Sequence, residues 1–202
     1  MNPHSKEDHL REEPETSTTP SGRKARKNHG AVRNLTEMAM MLALIEAVKR
    51  ALDFLPNVEL VTFLFLVFTI LYGKKTILVS FAFTGVEMLV FGSGIWVIMY
   101  LYVWPLEILI VSLLHRRFSS DADGYWWYCI FSALFGLLFG AACTIPYWIM
   151  GGPKAAIAWW IAGIPYDIVH GVSNFILCLV LFRPVMKAAR KMGLGRDTIL
   201  YR

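Results

Sequence analysis

The sequence predicts an all-α, polytopic membrane protein: a six-transmembrane-helix bundle with its N- and C-termini cytoplasmic. Three observations carry this. The 202 residues are 56% hydrophobic with a mean hydropathy of +0.49, far from soluble composition. Apolar runs recur at about 34–55, 58–72, 75–91, 95–114, 126–148 and 165–182. Seventeen of the twenty Lys and Arg residues fall on one side of that layout, leaving only Lys49, Arg50 and Lys154 opposite. Retention of Lys and Arg near helix ends on the cytoplasmic side explains such an asymmetry. The sequence pI of about 9.2 therefore reflects topology and anionic lipid, and nucleic acid is not an expected partner.

Residues 1–33 are polar, carry both charge signs and include Pro14 and Pro20, with no apolar core of a signal peptide. They read as a disordered basic cytoplasmic tail, with Arg23, Lys24, Arg26 and Lys27 anchoring topology at the membrane edge. The first helix, about 34–55, carries Ala39, Ala43, Ala47 and Ala51, four residues apart. That spacing keeps small side chains on one face, where another backbone can approach, either within the bundle or from a partner. Its outer half holds Glu46, Lys49, Arg50 and Asp53, with i,i+4 spacing that favours the ion pairs Glu46–Arg50 and Lys49–Asp53. Glu59 follows the breaker Pro56-Asn57.

The second run, 58–72, is too short to span comfortably and is expected to be tilted, broken or buried inside the bundle. Glu87 in the third helix (75–91) and Glu107 in the fourth (95–114) stand alone in apolar surroundings. Each must face a polar interior, find a partner or be protonated. The fifth helix, 126–148, opens with Trp126 and Trp127 at the inner interface and carries the small row Ser132, Gly136 and Gly140, suited to packing within the bundle. Trp96, Trp148, Trp159 and Trp160 fall near the outer interface. Gly92-Ser93-Gly94 and Gly151-Gly152-Pro153 are turn chemistry between runs. Residues 155–163, bounded by Pro153 and Pro165, read as a short outer helix or lid. The sixth helix is expected at 165–182, an inner-interface helix at 184–192, and a cytoplasmic tail at 193–202.

The most informative polar pattern is Asp167, His170 and Asn174, at i, i+3 and i+7 on one face of the sixth helix, with Tyr166 alongside. Three polar groups on one stripe of a membrane helix point to a cavity or to each other. They are the expected substrate-binding residues, with Trp159 and Trp160 above them and Glu87, Glu107 and Lys49 as further candidates. An acid-rich pocket with aromatic walls suits a flat, neutral or cationic molecule. No catalysis, metal or cofactor is expected. Gly73-Lys74-Lys75-Thr76 lacks the first glycine of a phosphate loop, there is no GxSxG or HExxH, and no second intramembrane histidine accompanies His170 for haem. Cys129, Cys143 and Cys178 lie in apolar runs without metal spacing and read as small buried hydrophobes.

Over about residues 34–190 the chain resembles the substrate-binding S component of an energy-coupling factor (ECF) vitamin transporter. The likeness rests on six short-looped helices, the alanine ladder, the absence of a nucleotide motif, and the runs Leu55-Pro56-Asn57-Val58 and Gly163–His170 followed by Asn174-Phe175. The resemblance implies a multi-pass protein of the bacterial plasma membrane that captures a vitamin or related micronutrient from outside. It further implies docking through Ala39, Ala43 and Ala47 onto a membrane coupling (T) subunit driven by two cytoplasmic ATPases. The competing expectation is a membrane-embedded enzyme or scaffold whose polar stripe is catalytic or merely structural.

Overall fold

The computed structural model describes residues 20–55, 58–118 and 121–195; side chains are described outside 20–29 and 121–123. The turn expected at Pro56-Asn57, the tail before Pro20 and the chain end after Gly195 lie outside the described residues. The chain divides into two compact units, Met1–Thr36 and Glu37–Arg202, and the bundle with both of its cavities belongs to the second.

The described residues are all-helical, 91% helix, with no strand among them. The helices are α1 (Pro20–Leu52), α2 (Val61–Tyr72), α3 (Thr76–Phe91), α4 (Ile95–Arg117), α5 (Asp121–Ala142) and α6 (Thr144–Lys191). Among the described residues, four stretches are long and apolar enough to cross a membrane: Val61–Phe91, Ile95–Arg117, Gly124–Ala142 and Thr144–Lys191. The first of these is not one rod. A straight helix would hold residues 65 and 83 about 27 Å apart, yet the Phe65 and Phe83 rings meet edge to face at 5.8 Å. The chain turns back at Gly73–Lys75, so α2 and α3 form a hairpin.

All twelve residues of α2 are buried. The short second run is thus the axial helix of the bundle, with its apolar side chains packed on every side. Around it, Met41 and Ile45 of α1, Val79 and Phe83 of α3, Trp104 and Ile108 of α4, and Cys178 and Phe182 of α6 complete one core. Phe65, Phe83, Tyr100 and Trp104 form a connected ring cluster at its centre, with centroid separations of 5.3 to 6.1 Å. Such edge-on and offset ring pairs add specificity to apolar burial.

Several expected boundaries change. α1 starts at Pro20, so the stretch expected to continue the disordered tail up to residue 33 is helical from that point. The fifth helix ends at Ala142 instead of 148, and Thr144 starts the next. The 155–163 lid and the 184–192 helix are not separate elements, because both are parts of α6. That helix is interrupted at Gly152, where φ 74° and ψ −174° favour glycine. Pro153 then occupies the first position of the resumed helix, where a missing N–H costs nothing. Pro165 and Pro184 lie inside the helix without ending it. In a bilayer, neighbouring helices and local adjustments satisfy the freed carbonyls, so the breaker rule of soluble proteins loses force.

α5 and α6 form the tightest pair. A Cβ on Gly136 would meet the backbone of Gly171 and His170 at 2.8 Å, so the two helices touch main chain to main chain. Ser132, Gly136 and Gly140 are all buried, as packing within the bundle requires. The three cysteines are buried and free.

Candidate functional site

The face of α6 that follows the break buries Asp167, His170, Gly171, Asn174, Cys178 and Phe182, a helical stripe turned into the bundle. Two adjoining cavities open where this stripe meets the end of α1, the start of α4 and the end of α5. The first, about 250 Å³, is lined by Lys49, Asp53, Glu59, Tyr100, Trp104, Phe139 and His170 with aliphatic neighbours. The second, about 430 Å³, is lined by Trp96, Tyr100, Phe139, Gly140, Trp159, Tyr166 and Asp167, with Met99, Cys143, Ala162 and Gly163. Tyr100 and Phe139 belong to both and form the wall between a polar chamber and an aromatic one.

In the polar chamber His170 Nε2 donates to Glu59 Oε1 at 3.0 Å, and Thr62 Oγ1 donates to the same oxygen at 3.0 Å. Phe139 meets the His170 ring edge to face at 5.1 Å. The imidazole is therefore held in one orientation by a carboxylate on one side and an aromatic face on the other.

In the aromatic chamber, the backbone N–H of Gly140 donates to Asp167 Oδ1 at 3.0 Å. Asp167 Oδ2 is buried without a hydrogen-bond partner among the described residues. A Cβ on Gly140 would fall against this carboxylate, so the glycine makes the seat that Asp167 occupies. Trp159 stacks on Tyr147 at 4.1 Å and 19°, which fixes the plane it presents. Tyr100 is braced edge to face by Trp96 at 5.3 Å and stacked on Phe83 at 5.8 Å.

The candidate residues thus separate by position. Asp167, Tyr166 and Trp159 line the aromatic chamber, and His170 and Lys49 line the polar one. Trp160 is 42% exposed and lines neither. Asn174 and Glu107 are fully buried, line neither chamber, and have no hydrogen-bond partner for their side-chain atoms among the described residues.

Glu87 is saturated by α1. Lys49 Nζ lies 2.6 Å from one carboxylate oxygen and Arg50 Nη2 2.5 Å from the other. Arg50 also reaches Glu46 at 3.5 Å and Asp53 at 3.4 Å, and its guanidinium lies over Phe91 at 4.3 Å. The local Glu46–Arg50 pair forms as its spacing suggests. The expected Lys49–Asp53 pair is replaced by the contact of Lys49 with Glu87, because a buried carboxylate is the stronger partner.

Ala39, Ala43, Ala47 and Ala51 are all exposed, while Met41 and Ile45 of the same helix are buried. The ladder is not used for packing inside the bundle.

Sequence reasoning placed Trp96 only near the outer interface and passed over Tyr100, Trp104 and Phe139 as cavity-lining residues. The signal was present as two aromatic ladders at i, i+4 and i+8: Trp96, Tyr100 and Trp104 on α4, and Phe131, Phe135 and Phe139 on α5. The two ladders meet where Trp104 contacts Phe135 at 6.3 Å and Phe139 at 5.8 Å. No family model, no curated protein and no solved structure matches the chain.

Proposed function

We propose that this protein is the substrate-specificity (S) component of an ECF-type transporter, capturing a vitamin or related micronutrient at the outer face of a bacterial plasma membrane. The observation that carries the reading is the pair of cavities sharing the Tyr100–Phe139 wall, set at one end of a bundle of apolar helices. Small-molecule sites combine apolar walls with a few fixed polar groups, and these chambers have that make-up in His170–Glu59 and Asp167–Gly140. In this reading the helices make six crossings with both termini in the cytoplasm. The cavity end of the bundle faces outward, the alanine ladder of α1 docks onto a membrane coupling subunit, and two cytoplasmic ATPases drive release. The exposure of Ala39, Ala43 and Ala47 favours a docking role, since small side chains on a free face admit a partner backbone. The chain itself carries out no catalysis.

The test is co-expression with a coupling subunit and its ATPases, followed by co-purification and uptake of radiolabelled vitamins. A stable complex with ATP-dependent uptake supports the assignment. Failure to co-purify, together with no uptake of any vitamin, refutes it in favour of a membrane enzyme or scaffold.

A further inference from the structure

Asp167 is the one residue with a formal charge among those lining the aromatic chamber. It is 7% exposed, and while Oδ1 is held by the Gly140 N–H, Oδ2 is left without a partner. A buried carboxylate that lacks a counter-charge is costly. His170, three residues on along the same face of α6, is committed to Glu59 at 3.0 Å. Lys49, in the neighbouring chamber, is committed to Glu87 at 2.6 Å. The chamber that Asp167 lines is walled by Trp96, Tyr100, Trp159 and Tyr166. Aromatic faces attract cations through the ring quadrupole, most strongly where water is excluded. A chamber of about 430 Å³ also falls within the size range of small-molecule sites.

We propose that the aromatic chamber is a cation cage. It takes a substrate bearing a quaternary or protonated nitrogen, held between these rings and against the Asp167 carboxylate. This rests on the reading of the protein as a substrate-capture subunit and specifies the class of substrate. Gly140 is a positioning residue, since its N–H and its missing side chain together aim the carboxylate.

The test is calorimetric titration of the purified full-length protein with 1-methylnicotinamide, choline and thiamine. The first two are set against their uncharged counterparts nicotinamide and 3,3-dimethylbutanol. At least one cation is expected to bind, with a paired neutral compound weaker by about tenfold or more, the loss of one well-placed charge contact. Asp167→Asn keeps the acceptor for Gly140 and the side-chain shape. It is expected to weaken cation binding by about tenfold or more at an unchanged thermal midpoint. Trp96→Leu, at a half-buried position, is expected to weaken the cation and spare the neutral compound, and it decides the matter if Asp167→Asn does not fold. Binding of none of the three cations, equal affinity for a charged and uncharged pair, or undiminished cation binding by the folded variants overturns the cage. ATP-driven uptake of a neutral or anionic vitamin overturns the cage and leaves the transport assignment standing. Cation binding by a protein that associates with no coupling subunit does the reverse.

Discussion

Replacing Glu87 with glutamine tests whether the α1–α3 ion cluster holds the bundle together or serves the ligand. The substitution keeps volume and removes charge from a side chain that is 2% exposed and flanked by Lys49 at 2.6 Å and Arg50 at 2.5 Å. Removing one member of a fully buried pair costs about 3–5 kcal/mol, whereas exposed pairs are worth about 0–1 kcal/mol. The cluster lies between these limits. Lys49 and Arg50 are 18% and 33% exposed, and Arg50 keeps Glu46 and Asp53 as partners. The expected loss is therefore about 1.5–3 kcal/mol, mostly from the stranded Lys49, which has fewer alternatives. Reversible unfolding in mixed detergent micelles, followed by tryptophan fluorescence, measures it. A double-mutant cycle with Lys49→Met should return a coupling of about 1 kcal/mol or more. Ligand affinity, measured where the variant is folded, should stay within about threefold of wild type, less than the tenfold step of a lost contact. A stability within about 0.5 kcal/mol of wild type, the range of uninvolved surface changes, would show that the cluster contributes nothing to the fold. A collapse of binding without loss of stability would place Glu87 in the site.

Ala43→Trp, on an exposed position of α1, should leave thermal stability and ligand binding intact while abolishing co-purification with a coupling subunit; full recovery of the complex would remove the ladder from the interface. Gly136→Ala brings a methyl group to 2.8 Å from the backbone of Gly171 and His170, which no side-chain rotation relieves. It should destabilise by about 1–3 kcal/mol in the same unfolding assay, and an unaltered midpoint would mean that α5 and α6 separate freely. His170→Ala leaves Glu59 with Thr62 as its remaining partner and should weaken binding in the polar chamber by about ten- to hundredfold, the usual result of stranding a buried polar group. Wild-type affinity in a folded His170→Ala protein would make the pair structural. Deleting residues 2–19, a polar stretch with little to bury, should leave uptake unchanged; its loss would reveal a partner for that segment.

The helical class and the inward face of α6 were legible because both follow from periodicity: Asp167, His170 and Asn174 share a face at the α-helical pitch, and all three are buried. The length of α6 was not. Pro165 and Pro184 read as terminators by rules in which water takes over the freed carbonyls, whereas the helix runs through both. Ion pairing failed in the same way wherever the partner was distant. Spacing offered Lys49 the nearby Asp53, but the chain brings it to Glu87 on α3. The partner of His170 is Glu59, 111 residues away, and no local pattern announces such a contact. The length of the second run left it to be tilted, broken or buried, and of these the structure shows burial, with all twelve residues of α2 enclosed.

That enclosure bears on how a chain with these apolar helices would enter a membrane. A helix of twelve residues reaches about 18 Å, well short of a hydrocarbon layer about 30 Å thick. Left alone in lipid, α2 would either thin the bilayer or draw its ends inward. It is spared this because Gly73–Lys75 joins it to α3 in a 31-residue apolar unit, long enough to be handed over as a single hairpin. Insertion of α2 is then tied to α3, and its final seat exists only after α4 and α6 have arrived to surround it. Chain truncations ending before α4 should therefore leave α2 extractable or degraded, so that the most hydrophobic short segment of the protein is the last to be secured.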